Sequence, residues 1–158
     1  MSSVGAAERL LTFDVGGHRY ALPIAHVFEV VELGRLAAVP TLPRAIGGVM
    51  NHHGDALPIV HRDVLLDVDA ETLTEPQHVL VLAPGDEEGP ELGLPVDRVC
   101  GLVDGVGATA LGADAVAERR PIEGRVVSVL DTVRLLERAA MMIERSVLGA
   151  DAGEGAER

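Results

Sequence analysis

The sequence contains no lysine and no tryptophan, and its aromatic residues are Phe13, Tyr20 and Phe28 alone. Its 158 residues carry 25 acidic side chains against 13 basic ones, all arginine, for a net charge of −12. Such a chain is a poor match for a phosphate backbone or for single-stranded bases, which are held by cationic side chains and aromatic platforms. No apolar run approaches the roughly 18 residues of a membrane span, so direct membrane insertion is not expected. The single cysteine, Cys100, excludes an internal disulfide and any thiolate metal cluster. Flanked by Val99 and Gly101, it reads as a buried and inert thiol. Met1 to Arg9 lacks the basic start and apolar stretch of a secretory signal. A cytoplasmic protein that binds no nucleic acid is the expectation.

What is present is a dense supply of Val, Leu, Ile and Ala. With 47% apolar residues, the chain has enough material for one domain, or for two very small units sharing a core. Short β-rich runs alternate with Gly, Pro and acidic punctuation. Leu10 to Val15 and Arg19 to Ile24 flank Gly16-Gly17, which predicts a hairpin. Ile24, Val27, Phe28 and Val31 follow at helical spacing, which predicts a short helical turn, with a strand as the competing reading. Ile46 to Met50 and Asp55 to Val60 read as strands joined by the loop Asn51-His52-His53-Gly54. Val64 to Val68 is a helical turn or a strand end, and Asp67 to Gln77 an acidic connector. Strands are expected again at His78 to Ala83, Leu92 to Val96, Val99 to Val103 and Arg125 to Leu130. Ala108 to Arg120 reads as a loop with a short helix, and Val133 to Val147 as a helix. The domain is expected over residues 9–147, between a flexible N-terminal tail (1–8) and a disordered C-terminal tail (148–158).

The most informative pattern is internal. Tyr20-Ala21-Leu22-Pro23-Ile24 aligns with Leu92-Gly93-Leu94-Pro95-Val96, and Gly54 to Val60 aligns with Gly124 to Leu130, followed by Leu65-Leu66 over Leu135-Leu136. The two blocks keep their order and nearly the same separation. They argue for two similar β-rich halves, approximately 9–68 and 78–136, each too small to bury a core alone and therefore packed on the other.

Catalytic constellations are missing. None of Ser2, Ser3, Ser128 and Ser146 lies in a nucleophile-elbow context, and Gly16-Gly17 and Gly47-Gly48 form neither a dinucleotide fingerprint nor a P-loop. No cofactor and no enzymatic activity are expected. The six histidines, His18, His26, His52, His53, His61 and His78, raise a metal question. Adjacent His side chains on a strand point to opposite faces, so His52 and His53 would share an ion only within a tight loop. Solvated loop histidines are the expectation; a metal-responsive protein using His52, His53 and His61 is the alternative. The Ile24, Val27, Phe28 and Val31 set is read as core, and any part of it that is exposed as an interaction face.

Phe13-Asp14-Val15-Gly16, Tyr20 to Ile24, Val27 to Val30, Val39-Pro40 with Leu42-Pro43, Gly48 to Gly54, Leu57 to Val60, Leu92 to Val99 and Glu123 to Asp131 with Leu135-Leu136 occur in that order. Together they resemble the CheW-like family of chemotaxis coupling proteins. The resemblance implies two five-stranded SH3-like β-barrels packed through a shared hydrophobic core, with short helices including a C-terminal one. It implies a non-enzymatic adaptor that links the cytoplasmic tip of a chemoreceptor to the regulatory domain of a CheA-type histidine kinase, at receptor arrays on the inner face of the membrane. Receptor contacts are carried over to Ile24, Val27, Glu29, Asn51 and His53. Two arginines usual in the family are replaced here, by His53 and Asp63. A divergent regulator that binds only the kinase or only the receptor is therefore the second reading.

The charge is uneven. Residues 1–62 are neutral overall, whereas Asp63 to Asp97 contains only acidic charges. This segment is expected to form a negative face, which a basic partner would meet with salt-sensitive affinity.

Overall fold

The computed structural model describes residues 8–33, 46–83, 89–105 and 116–142. In chain order the strands are β1 (Glu8–Val15), β2 (His18–Pro23), β3 (Val27–Glu32), β4 (Ile46–His52), β5 (Asp55–Val60), β6 (His78–Leu82), β7 (Leu92–Val96), β8 (Arg98–Gly105), β9 (Val116–Ile122) and β10 (Arg125–Leu130). A 3-10 turn at Ile24–His26 precedes β3, and another lies at Ala70–Thr72. Helix α1 (Arg62–Leu66) follows β5, and α2 (132–142) follows β10.

The strands form two five-stranded sheets, in the orders β8-β1-β2-β10-β9 and β3-β6-β7-β5-β4. Replacing each strand of one order by the strand five places away in sequence gives the other order. The sequence repeat is thus a repeat of the fold, but its halves interleave. One sheet takes β1 and β2 from the first half and β8 to β10 from the second; the other takes β3 to β5 and β6 with β7. The crossings occur at Pro23 and at Asp97, where β2 and β7 give way to strands of the opposite sheet.

Register follows the repeat residue by residue. The parallel pairing of β10 with β2 sets Val129 opposite Ala21, and that of β5 with β7 sets Ile59 opposite Gly93. The hairpins at His53-Gly54 and Glu123-Gly124 have positive φ at both central residues, as a type I′ turn requires, and so does Gly16-Gly17. The bulge in β3 between Val27 and Glu29 recurs in β8 opposite Thr12 and Phe13.

Burial explains the composition. Leu11, Phe13, Val15 and Leu22 of one sheet meet Leu80, Leu82, Leu94 and Val96 of the other in a common core, joined by Leu65 of α1 and by Leu135, Leu136 and Ala139 of α2. Alternate residues point the other way, into a small core inside each sheet: Met50, Leu57, Ile59, Val79 and Val81 in one, and Leu10, Ala21, Val127 and Val129 in the other. Central strands buried on both faces cannot alternate with polar residues. This is why β6 and β7 are nearly continuous in hydrophobicity.

Helix α2 begins at Asp131, whose carboxylate accepts the backbone N–H of Arg134 at 3.0 Å, an N-cap arrangement typically contributing about 1 kcal/mol. At its other end Arg138 Nε donates to the carbonyl of Leu65, at 2.9 Å, tying α2 to the C-terminal turn of α1.

Two expectations need correction. Val27 to Val31 is strand, not helix. Its helical spacing comes from the bulge, which inserts Phe28 and shifts the inward phase by one residue. The β-branched Val27, Val30 and Val31 fit the pairing with β6. Within the segment expected to be a loop with a short helix, Val116 to Arg120 belongs to β9. Among the described residues this edge strand pairs only with β10, tolerates Pro121, and lacks the alternation that marks a strand. The remainder of that segment, the expected tails except Glu8, and the expected helix beyond residue 142 lie outside the described residues.

Candidate partner-binding rim and the histidine turn

In the sheet order β3-β6-β7-β5-β4, strands β3 and β4 are the two outer strands. Yet Glu29 on β3 accepts hydrogen bonds on the same carboxylate oxygen, Oε1, from His52 Nε2 and His53 Nε2, each at 2.9 Å. The sheet therefore curls until its edges meet, and this cluster closes it. His52 ends β4 and is buried, at 6% exposure, whereas His53 is 69% exposed at its side chain.

Two adjacent histidines reach one carboxylate because only the first is on the strand. Asn51 and His52 continue β4, and the turn is His53-Gly54 alone, with His53 at φ 51°. The left-handed backbone cancels the strand alternation, and the rings lie 4.3 Å apart at an interplanar angle of 67°. Asn51 Oδ1 accepts the N–H of Gly54 at 2.8 Å, so its side chain holds the turn. Phe28, pushed outward by the bulge, stands edge-on to His52 at 6.0 Å and is 54% exposed. The hydrogen bond from His53, then that from His52, holds the Glu29 carboxyl below its ordinary pKa against the opposing effect of burial.

The residues singled out from sequence thus fall into two groups. Glu29, Asn51 and His53 come together on one rim of the sheet. Val27 is buried in the common core, and Ile24, in the preceding 3-10 turn, is half-buried against it. Of the apolar set read as core, Phe28 departs: it is exposed next to Val30, at 39%. His61 does not join His52 and His53; it precedes α1 and is exposed. What sequence reasoning missed is that Glu29, expected as a receptor contact, meets both His52 and His53. Its phase in a bulged strand decides the contact, and spacing alone does not show it.

Among the described residues, the corresponding place in the other sheet has no such closure. Gly101 occupies the repeat position of Glu29, and Glu123 that of His53. Both line a cavity of about 390 Å³ with Arg19, Arg98 and Cys100. Cys100 is half-buried there, and burial pushes its thiol pKa upward. This suits an inert thiol rather than a nucleophile.

The acidic segment is also rearranged by folding. Asp97 is buried, with its side chain 8% exposed, and accepts from Arg62 Nε at 2.8 Å, from the N–H of Gly16 at 3.0 Å and from the N–H of Thr74 at 3.3 Å. Asp67, Asp69, Glu71 and Glu75 remain exposed. Among the described residues no helix is long and apolar enough to cross a membrane.

Two interleaved five-stranded sheets share one core, and Glu29, His52 and His53 close the rim of one of them. The CheW-like domain family matches residues 9–140, and the chain belongs to that family; CheW-like scaffolding proteins are non-enzymatic adaptors of chemotaxis signalling. The chain is 30% identical to protein FrzA of Myxococcus xanthus over 115 residues, covering 70% of each chain. It is 27% identical to the chemotaxis protein CheW of Helicobacter pylori over 91 residues, 58% of this chain and 53% of that one. The crystal structure of the scaffolding protein TtCheW from Thermoanaerobacter tengcongensis shares the fold, with a TM-score of 0.65 at 16% identity over 79% of this chain and 84% of that one.

Proposed function

We propose that this chain is an adaptor that couples the cytoplasmic tip of a chemoreceptor to the regulatory domain of a CheA-type histidine kinase, in the cytoplasm at receptor arrays. The mechanism is binding alone. The observation that carries it is the convergence of Glu29, Asn51 and His53 on one rim beside the exposed ring of Phe28, within a chain that belongs to the CheW-like family. In this reading Glu29 and His53 offer polar contacts to a receptor helix. Phe28 supplies apolar area and Asn51 keeps the turn in place, while Val27 and the half-buried Ile24 belong to the common core that supports β3. An amphipathic helix laid on such a rim is recognised by anchors at helical spacing.

The test is a pull-down from purified components, using receptor tips and CheA-type kinases encoded in the same genome. Recovery of both supports coupling, and recovery of neither overturns it. A second reading, a regulator that binds only one of the two, rests on His53 and Asp63 standing where the family usually has arginine. An imidazole does not reproduce the planar, permanently charged fork of an arginine. Recovery of the kinase alone would select this reading.

A further inference from the structure

The cluster that closes the β3–β4 rim has a chemistry beyond hydrogen bonding. Glu29, His52 and His53 each offer a donor atom within 4.8 Å of the other two, and both Nε2 atoms stand 2.9 Å from Glu29 Oε1. Two imidazoles and one carboxylate, converging from three residues on two strands and a turn, are the donor set of an open zinc site. There the protein supplies three ligands and water takes the fourth position. Metal–ligand distances of about 2.0–2.2 Å place tetrahedral donors roughly 3.4 Å apart, so the two Glu29–histidine spacings, each 2.9 Å, need to open only slightly.

We infer that Glu29, His52 and His53 bind one divalent transition-metal ion, with Zn²⁺ as the reference member of the class. Three features prepare the site. His52 is buried and its ring is braced by the edge of Phe28. His53 is held on the same side by its left-handed backbone, which the Asn51–Gly54 hydrogen bond supports. Glu29 is fixed in phase by the bulge in β3. Binding exchanges the two N–H···Oε1 hydrogen bonds for metal bonds: each imidazole gives up its Nε2 proton to solvent and takes one on Nδ1, leaving the Nε2 lone pair for the metal. Nitrogen donors favour Zn²⁺, Ni²⁺ and Cu²⁺ over Mg²⁺ and Ca²⁺, which prefer all-oxygen cages. Because the ligands come from the two outer strands of one sheet, the ion would clamp that sheet shut. The inference does not depend on the coupling reading, since metal binding is measured without receptor or kinase.

The test uses the full chain purified without an affinity tag, freed of metal by a chelator and titrated with Zn²⁺ by calorimetry. A parallel titration with Co²⁺ reads the d–d spectrum of a low-coordinate site. The expected result is one equivalent of Zn²⁺ bound and a raised melting midpoint. Binding should weaken by at least about tenfold in His53→Asn, since even the loss of an outer-shell partner commonly costs 10–100-fold in affinity. Asn tolerates the left-handed position, and Asn-Gly is a preferred type I′ pair, so this variant keeps its turn; circular dichroism checks that it does. Glu29→Gln should weaken binding similarly. Binding of less than about 0.2 equivalents of Zn²⁺ overturns the site. So does full-strength binding retained in both variants, which would place the ion on other histidines.

Discussion

Ile59 occupies the space that a side chain on Gly93 would need. The two residues face each other across the parallel pairing of β5 with β7. A Cβ at Gly93 would fall inside the contact distance of Ile59 Cδ1 and lie 3.0 Å from Val79 Cγ1 and 3.2 Å from Leu57 Cδ2. At the equivalent pairing in the other sheet the methyl groups are distributed differently, with Val129 opposite Ala21. One pair places its bulk on the outer partner, and the other divides it.

Gly93→Ala should therefore destabilise the protein by about 1–3 kcal/mol, the usual cost of overpacking a filled core. Adding Ile59→Val, which removes the clashing methyl and copies the second sheet, should recover part of that loss. Urea denaturation of the four members of the cycle measures it as a coupling between the two positions. Strict additivity of the two substitutions would show that the clash is relieved elsewhere.

Arg62 and Asp97 form a buried ion pair at the joint between the halves. Arg62 Nε donates to Asp97 Oδ1 at 2.8 Å, its Nη2 donates to the carbonyl of Thr74, and the side chains are 10% and 8% exposed. Arg62→Ala should cost about 3–5 kcal/mol because Asp97 is left buried without its cation. The two remaining N–H donors to Asp97, from Gly16 and Thr74, keep the loss at the lower end. The shift of the thermal midpoint measures it. A change within about 0.5 kcal/mol, as for an ordinary surface substitution, would mean that the carboxylate finds water instead.

The sequence repeat made the apolar framework legible and left the polar joints hidden, for a physical reason. Leu22 over Leu94, Val60 over Leu130 and Leu65 over Leu135 fill corresponding places in one shared core, so their chemistry is constrained alike. At the joint the constraint is only that polar atoms be satisfied, and the halves meet it differently. Arg62 pairs with Asp97 in one, while Thr132 Oγ1 and His26 Nδ1 make a 2.8 Å hydrogen bond in the other. Alignment shows nothing in common there. The interleaving of the sheets was equally invisible, because local patterns report which face of a strand is apolar but not which neighbour it chooses. The rim was half legible. Glu29, Asn51 and His53 were picked out through a family resemblance, whereas the exposure of Phe28 and the convergence of His52 with His53 depend on a bulge and a left-handed residue.

Asp14 supplies a pH dependence. It accepts from Arg19 Nε at 2.8 Å and Nη2 at 3.1 Å, across the β1–β2 pair. That hydrogen bond, aided by the arginine's charge and opposed by burial, lowers its pKa below the ordinary value of 3.8. A carboxyl group lowered in the folded state binds more protons when the chain is unfolded, so stability rises with pH through this range. The contribution is complete above the unfolded-state pKa, roughly 3.9, and disappears as the pH falls through the lower folded value. Asp14→Asn should be less stable than the parent at neutral pH, and the difference should shrink as the pH falls from about 5 towards 3. Melting midpoints across that range give the comparison. A difference that does not vary with pH would show that the pair acts through packing alone.

His53 is where the proposed receptor contact can be tuned. The family resemblance sets it in place of a usual arginine; it is exposed and faces Glu29. Arginine at this position would keep a ring-sized apolar stem and add a permanent charge with several donors, so it can pair with Glu29 and still present N–H groups outward. Both side chains must bear the same left-handed backbone, so the exchange should move stability by less than about 0.5 kcal/mol. If the rim binds a receptor helix, His53→Arg should tighten association with receptor tips by roughly threefold to tenfold, the net worth of about 0.5–1.5 kcal/mol typical of one exposed hydrogen bond. The gain should diminish at high salt, where exposed charges are screened. Titration of the two proteins against immobilised receptor tips at low and high salt reads both effects. Equal affinities at low salt would remove His53 from the receptor contact.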